Sequence, residues 1–88
     1  MNYYHSRVFI DRIQISEGSL SAQIQLSSRA VFLISLLSAT GEQIHKRFVQ
    51  LEHGLNNLQF TVGNLERGDY QLCLMQGFQE TKAPFQHV

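Results

Sequence analysis

Apolar and polar residues alternate with a period of two along most of this chain. In SLSAQIQLS, Leu20, Ala22, Ile24 and Leu26 fall on one face, and serine and glutamine fall on the other. Such alternation is typical of a β-strand with one buried face. Similar segments recur at roughly 8–12-residue intervals with turn residues between them, the spacing of sandwich strands. Residues 1–88 are therefore predicted to form one immunoglobulin-like antiparallel β-sandwich of about seven strands.

Three further segments carry the alternation and place their apolar residues on the core face. VFIDRIQI offers Val8, Ile10, Ile13 and Ile15, with Phe9 as a further candidate; LNNLQFTV offers Leu58, Phe60 and Val62; DYQLCLMQ offers Tyr70, Leu72 and Leu74. The intervening SEG and SATG segments predict tight turns, because Gly18 and Gly41 supply the positive φ that such turns need.

Two segments depart from simple alternation. AVFLISLL is apolar on both faces, with Val31, Leu33 and Leu37 on one side and Phe32, Ile34 and Leu36 on the other. Its short length, β-branched residues and flanking turns favour a central strand over a helix. EQIHKRFVQL, with Ile44, Phe48 and Val49 as its apolar positions, alternates imperfectly and predicts an edge strand or a bulge. Pro84 confines the last strand to a sheet edge.

The segment NLERGDYQLCL combines a turn glycine with a tyrosine at the start of a strand. Leu65, Gly68 and Tyr70 have the spacing of a tyrosine corner, in which a buried phenol hydrogen-bonds to backbone a few residues upstream. Gly68 permits a backbone conformation that a Cβ would forbid, and Leu65 fills the space beneath the crossing. We interpret these three residues as a structural corner and not as a ligand site.

Charge and composition exclude several classes of function. Seven basic residues balance seven acidic ones, whereas a nucleic-acid-binding protein needs a basic face. The longest apolar run has eight residues including a serine, which is too short to span a bilayer. Cys73 is the only cysteine, so no internal disulfide can form. MNYYHSRVF lacks a signal-peptide core, so we expect an exported form to be already processed or part of a longer chain.

No constellation of side chains predicts catalysis, a metal site or a cofactor. His5, His45, His53 and His87 lack ligand spacing, although His45 and His53 could approach across a hairpin. Cys73 lies between two leucines with nothing to activate it as a nucleophile. The carboxylates are scattered, and no phosphate-binding or nucleophile-elbow motif occurs. We therefore expect a protein that is not an enzyme and has no small-molecule substrate.

Outward-facing apolar residues give the one hint of function. If the strands at residues 30–38 and 69–76 are neighbours, then Val31, Leu33, Leu37, Cys73 and Met75 form a shared apolar patch. Such patches mark protein contacts or self-association. The alternative is that a terminal segment, MNYYHSR or APFQHV, covers the patch.

Residues 31–77 also resemble the C-terminal sorting domain of proteins exported by the type IX (Por) secretion system. The similarity lies in the SATGEQI turn at residues 38–44, in Gly54, Asn56 and Asn57, and in the L-x-x-G-x-Y corner followed by Leu72 and Leu74. Three positions depart from the family: Ser38 replaces aspartate, Glu42 replaces lysine or arginine, and Pro84 interrupts the terminal basic strand.

The resemblance implies a non-catalytic module that export machinery recognises, at a location from the periplasm to the cell surface or medium. The alternative is a free-standing adaptor or accessory domain that binds a protein or a carbohydrate and has no sorting role.

Overall fold

The computed structural model describes residues 7–88, which form seven antiparallel strands and no helix. The strands are β1 (Val8–Ser16), β2 (Ser19–Leu26), β3 (Ala30–Ser38), β4 (Gln43–Leu51), β5 (Gly54–Thr61), β6 (Gly68–Gln76) and β7 (Gln79–His87). One sheet has the order β1-β2-β5 and the other β4-β3-β6-β7. The two sheets pack face to face, which confirms the predicted sandwich. The described residues therefore contain no helix with the length and apolar character needed to cross a membrane.

The core consists of the inward positions of both sheets. β2 and β6 alternate as the sequence predicts, and β3 is a central strand between β4 and β6. The larger side chains that are almost completely buried are Leu20, Ile24, Phe32, Ile34, Leu36, Leu72 and Leu74. They come from β2, β3 and β6, so the middle of the sandwich supplies most of the apolar burial that stabilises the fold.

β1 contains a bulge that the sequence pattern did not reveal. Its pairing with β2 shifts between Asp11 and Gln14, and Arg12 takes a positive φ of 52°. The extra residue keeps Ile10 and Ile13 on the core side, although they are three residues apart. Phe9 does not join the core and is 67 % exposed, because it points outward between Val8 and Ile10.

β4 is an edge strand with a bulge, as its imperfect alternation predicts. Its pairing with β3 shifts between Leu36 and Leu37, opposite His45 and Gln43. Beyond the bulge, Val49 and Leu51 face inward and Phe48 faces solvent. Phe48, one of the three apolar positions of this segment, therefore does not join the core.

The two sheets differ in their number of strands, and this difference determines which sheet edges are left open. β1 lies against β7, so the sheets are aligned along that side of the sandwich. The four-stranded sheet consequently extends one strand further on the opposite side, where β4 projects past β5. Pro84 lies in the edge strand β7, as expected from its missing amide.

Candidate functional site

Tyr70 lies at the end of the sandwich where β6 begins. Its hydroxyl donates a hydrogen bond to the carbonyl oxygen of Glu66, four residues upstream. Its ring centroid lies 6.0 Å from that of Phe85 and 6.4 Å from that of His87. Gly68 has a φ of 149°, and Leu65 packs against the core. Tyr70 therefore has a satisfied hydroxyl and apolar neighbours, which is the environment of a structural side chain.

The turn between β3 and β4 is closed by Ser38. Its backbone amide donates to the Glu42 carbonyl at 2.8 Å, and its hydroxyl oxygen accepts from the Glu42 amide at 3.1 Å. Gly41 has a φ of 88° and donates to the Ser38 carbonyl at 3.0 Å. A side-chain oxygen at this position thus accepts a turn amide, a role that both serine and aspartate can fill.

Asn56 holds the short connection between β4 and β5. Its side-chain oxygen accepts from the Glu52 amide at 2.9 Å, and its side-chain nitrogen donates to the Glu52 carbonyl at 2.8 Å. The same nitrogen also lies within hydrogen-bond distance of the Ile24 and Gly54 carbonyls. Gly54 has a φ of 96°. The spacing of Gly54 and Asn56, a glycine followed two residues later by an asparagine (G-x-N), therefore has a local physical cause. One side-chain amide satisfies several backbone groups where the chain passes from one sheet to the other.

An open depression of about 680 Å³ lies beside Tyr70. The 38–41 turn, the start of β6 and the end of β7 form its walls. Asp69 is the only carboxylate among the described residues that line it, and the Tyr70 hydroxyl donates to the Glu66 carbonyl. Among residues 7–88, the lining places no nucleophile beside a general base.

The outer face of the four-stranded sheet carries an exposed apolar cluster. Phe48, Leu33 and Met75 are neighbours across β4, β3 and β6, and Val31 lies two residues from Leu33 on the same face. Phe48 is 73 % exposed, Val31 56 % and Met75 36 %, whereas Leu33 is half-buried. We call these four residues the outer apolar patch. Glu80 and Lys82 of β7 lie beside it and form an exposed ion pair at 3.4 Å.

Only some of the predicted interface residues lie on the exposed surface of the four-stranded sheet. Val31, Leu33 and Met75 belong to the outer apolar patch. Leu37 lies further along the same face and is half-buried. Cys73 is only 4 % exposed and contributes almost nothing to the surface. Phe48 is the most exposed member of the patch, and it is not among the interface residues that the sequence predicts. The β4 bulge sets its outward position, so the alternation of the sequence gives no signal for it.

The Cys73 thiol lies in an environment that disfavours the thiolate. Burial, followed by a hydrogen bond to the Glu80 carboxylate and the charge of that carboxylate, raises the pKa of Cys73 from 9.0 to about 11, although Lys82 acts in the opposite direction. A thiolate is the reactive form of cysteine. Cys73 therefore carries little thiolate near neutral pH in the folded chain.

His45 lies near the start of β4 and His53 follows its end, so these two histidines do not approach each other across a hairpin. Among residues 7–88, no group of three or more His, Cys, Asp or Glu side chains is arranged to hold a metal ion. His5 lies outside the described residues. The His45 ring stacks on Phe60 with centroids 4.8 Å apart, and the guanidinium carbon of Arg47 lies 5.8 Å from the same ring. The His45 and Arg47 side chains thus extend from the inward face of β4 and lie over Phe60 of β5.

No protein-family model matches the chain, and no curated protein matches it.

We predict that Tyr70→Phe lowers the free energy of unfolding by about 1 kcal/mol, because one hydrogen bond to the Glu66 carbonyl is lost. Urea unfolding followed by circular dichroism measures this. Asp69→Ala, an exposed neighbour, is the control and should change stability by less than about 0.5 kcal/mol. An unchanged stability for Tyr70→Phe would show that the hydroxyl is solvated.

We predict that iodoacetamide alkylates Cys73 slowly in the folded protein. The rise in pKa from 9.0 to about 11 lowers the thiolate fraction near pH 8 by roughly 100-fold. The rate should increase with pH until it levels near the raised pKa, and the folded state should lose stability as pH rises from about 9 through 11. Mass spectrometry gives the alkylation rate of Cys73 in the native and in the urea-unfolded protein. Equal rates in the two samples would contradict the burial of the Cys73 thiol.

Proposed function

We propose that this chain is a non-catalytic protein-interaction module that resembles a type IX secretion sorting domain and is recognised by a component of the export machinery. The observation that carries the proposal is the outer apolar patch. Its exposed members lie together on one sheet face, where they cost free energy in water unless a partner covers them.

The local chemistry of the turns supports the resemblance at the level of individual residues. Ser38 accepts the Glu42 amide, so its replacement of the family's aspartate keeps an acceptor at that turn. Asn56 and Gly54 occupy the position of the family's G-x-N segment, and Tyr70 occupies that of its corner. These contacts maintain the fold that presents the patch, and they take no part in binding.

The proposed partner surface is apolar with a charged margin. Phe48, Val31 and Met75 favour an apolar counterpart because burial of their exposed area would stabilise the complex. The Glu80–Lys82 pair at the margin would favour alignment with polar groups of the partner. Self-association through the same face and a free-standing adaptor role are the competing proposals.

The test is export of a reporter fused to this chain behind a signal peptide in a cell with type IX secretion. We expect the reporter to reach the cell surface or the medium, and Phe48→Lys to retain it in the periplasm because a charge interrupts the apolar contact. Phe9→Lys is the matched control, since Phe9 is similarly exposed but lies on the other sheet.

Retention of the unmodified fusion in the periplasm would contradict the sorting role and favour the adaptor. Light scattering on the purified chain distinguishes self-association from the sorting role and from the adaptor role. If the concentrated chain forms dimers, and if Leu33→Lys or Met75→Lys dissociates them, the outer apolar patch binds a second copy of the chain.

A further inference from the structure

β5 is the one edge strand of the described sandwich that has no device to prevent strand pairing. β1 has a bulge at Arg12, β4 has a bulge and the cations Lys46 and Arg47, and β7 contains Pro84 and the Glu80–Lys82 pair. Bulges, charges and proline are the features that protect sheet edges. β5 has none of them: it is uncharged, and its pairing with β2 is regular from Gly54 to Thr61.

The backbone of β5 presents a regular row of polar groups to this open edge. The amide of Val62 donates to the Gly18 carbonyl at 2.8 Å, so the even-numbered residues direct their backbone groups toward β2. Along an antiparallel strand, the backbone amide and carbonyl of successive residues point alternately to the two sides of the strand. The amides and carbonyls of Leu55, Asn57, Gln59 and Thr61 therefore point toward the position that a fourth strand would occupy.

That position lies beneath β4. The four-stranded sheet projects past β5 by one strand, a distance of about 4.8 Å. His45 and Arg47 extend from the inward face of β4 over Phe60. An added strand would therefore pair with β5 on one side and have β4 above its inward face.

The polar groups of this covering strand indicate the chemistry of the occupant. His45 Nε2 is buried without a hydrogen-bond partner, and Arg47 has no carboxylate partner within residues 7–88. His45 is half-buried and Arg47 is exposed at the rim of this face, so a strand added beside β5 would cover both side chains. A carboxylate near Phe60 would accept hydrogen bonds from both.

We propose that the β5 edge, beneath β4, binds one extended segment of a partner polypeptide that carries an acidic side chain facing Arg47. The segment has an apolar residue beside Leu58 and polar residues outward beside Asn57 and Gln59. A second copy of the chain does not fit, because each copy would place its own β4 in the space that the other needs. This site goes beyond the proposed function, since it lies on the opposite sheet from the outer apolar patch.

The probe is a capped synthetic peptide of eight residues, the length of β5. It has threonine at outward positions, valine at inward positions and one inward glutamate; two matched peptides carry glutamine or lysine instead. Titration into isotope-labelled protein should shift the amide signals of Leu55, Asn57 and Gln59. The glutamate peptide should bind about fivefold more tightly than the glutamine peptide and more tightly still than the lysine peptide.

Two pairs of variants separate strand pairing from nonspecific contact. Asn57→Pro removes an outward amide and should weaken binding about tenfold, whereas Asn57→Ala should stay within about twofold. Arg47→Glu should reverse the preference so that the lysine peptide binds best, and Arg47→Gln should abolish the preference. Circular dichroism establishes that each variant is folded.

Any of four results would overturn the proposal: no binding at millimolar peptide, equal affinity for the three peptides, full affinity in Asn57→Pro, or a dimer that forms through β5. Phe48→Lys, the variant that tests the outer apolar patch, leaves β5 unchanged. Failure of one proposal can therefore be distinguished from failure of the other.

Discussion

Face-to-face packing of the two inner sheet surfaces is the interaction on which the rest of this structure depends. Each strand must direct one row of apolar side chains into the same core, and β2, β3 and β6 do this with residues that are almost completely buried. Seven strands cannot divide equally between two sheets. Since β1 and β7 are aligned, the division into three and four strands leaves β5 as an edge with β4 projecting over it.

The periodicity of the sequence predicts those elements in which alternation is unbroken. β2, β5 and β6 follow their predicted faces, and the two-sided apolar character of residues 30–37 correctly indicates a central strand. The sequence also predicts the local turns, because Gly18 and Gly41 take the positive φ that these turns require. Each of these features depends on a few neighbouring residues.

The remaining features depend on contacts between distant segments, or on register shifts that a period-two pattern cannot express. The bulges in β1 and β4 change which residues face the core, so Ile10 and Ile13 share the core side although they are three residues apart, and Phe48 is exposed. The positions of His45 and Arg47 over Phe60 join strands that lie in different sheets. Sequence alternation therefore predicts part of the outer apolar patch, and it does not predict the open edge beneath β4.

The two surfaces of the sandwich differ in the kind of contact that they offer. The outer apolar patch offers side chains, so its specificity would come from shape and apolar area. The β5 edge offers backbone groups in a fixed row, so its affinity would come from strand pairing and its specificity from alternate side chains. The fold provides a rigid support for both, and neither needs a catalytic group.

Amide hydrogen exchange of β5, measured by NMR on the isolated chain, tests the open edge most directly. We expect alternating protection: Asn56, Leu58 and Phe60, which pair with β2, should exchange slowly, and Leu55, Asn57 and Gln59 should exchange quickly. Uniformly slow exchange along the strand would contradict an open β5 edge, because it would mean that β5 already pairs on both sides.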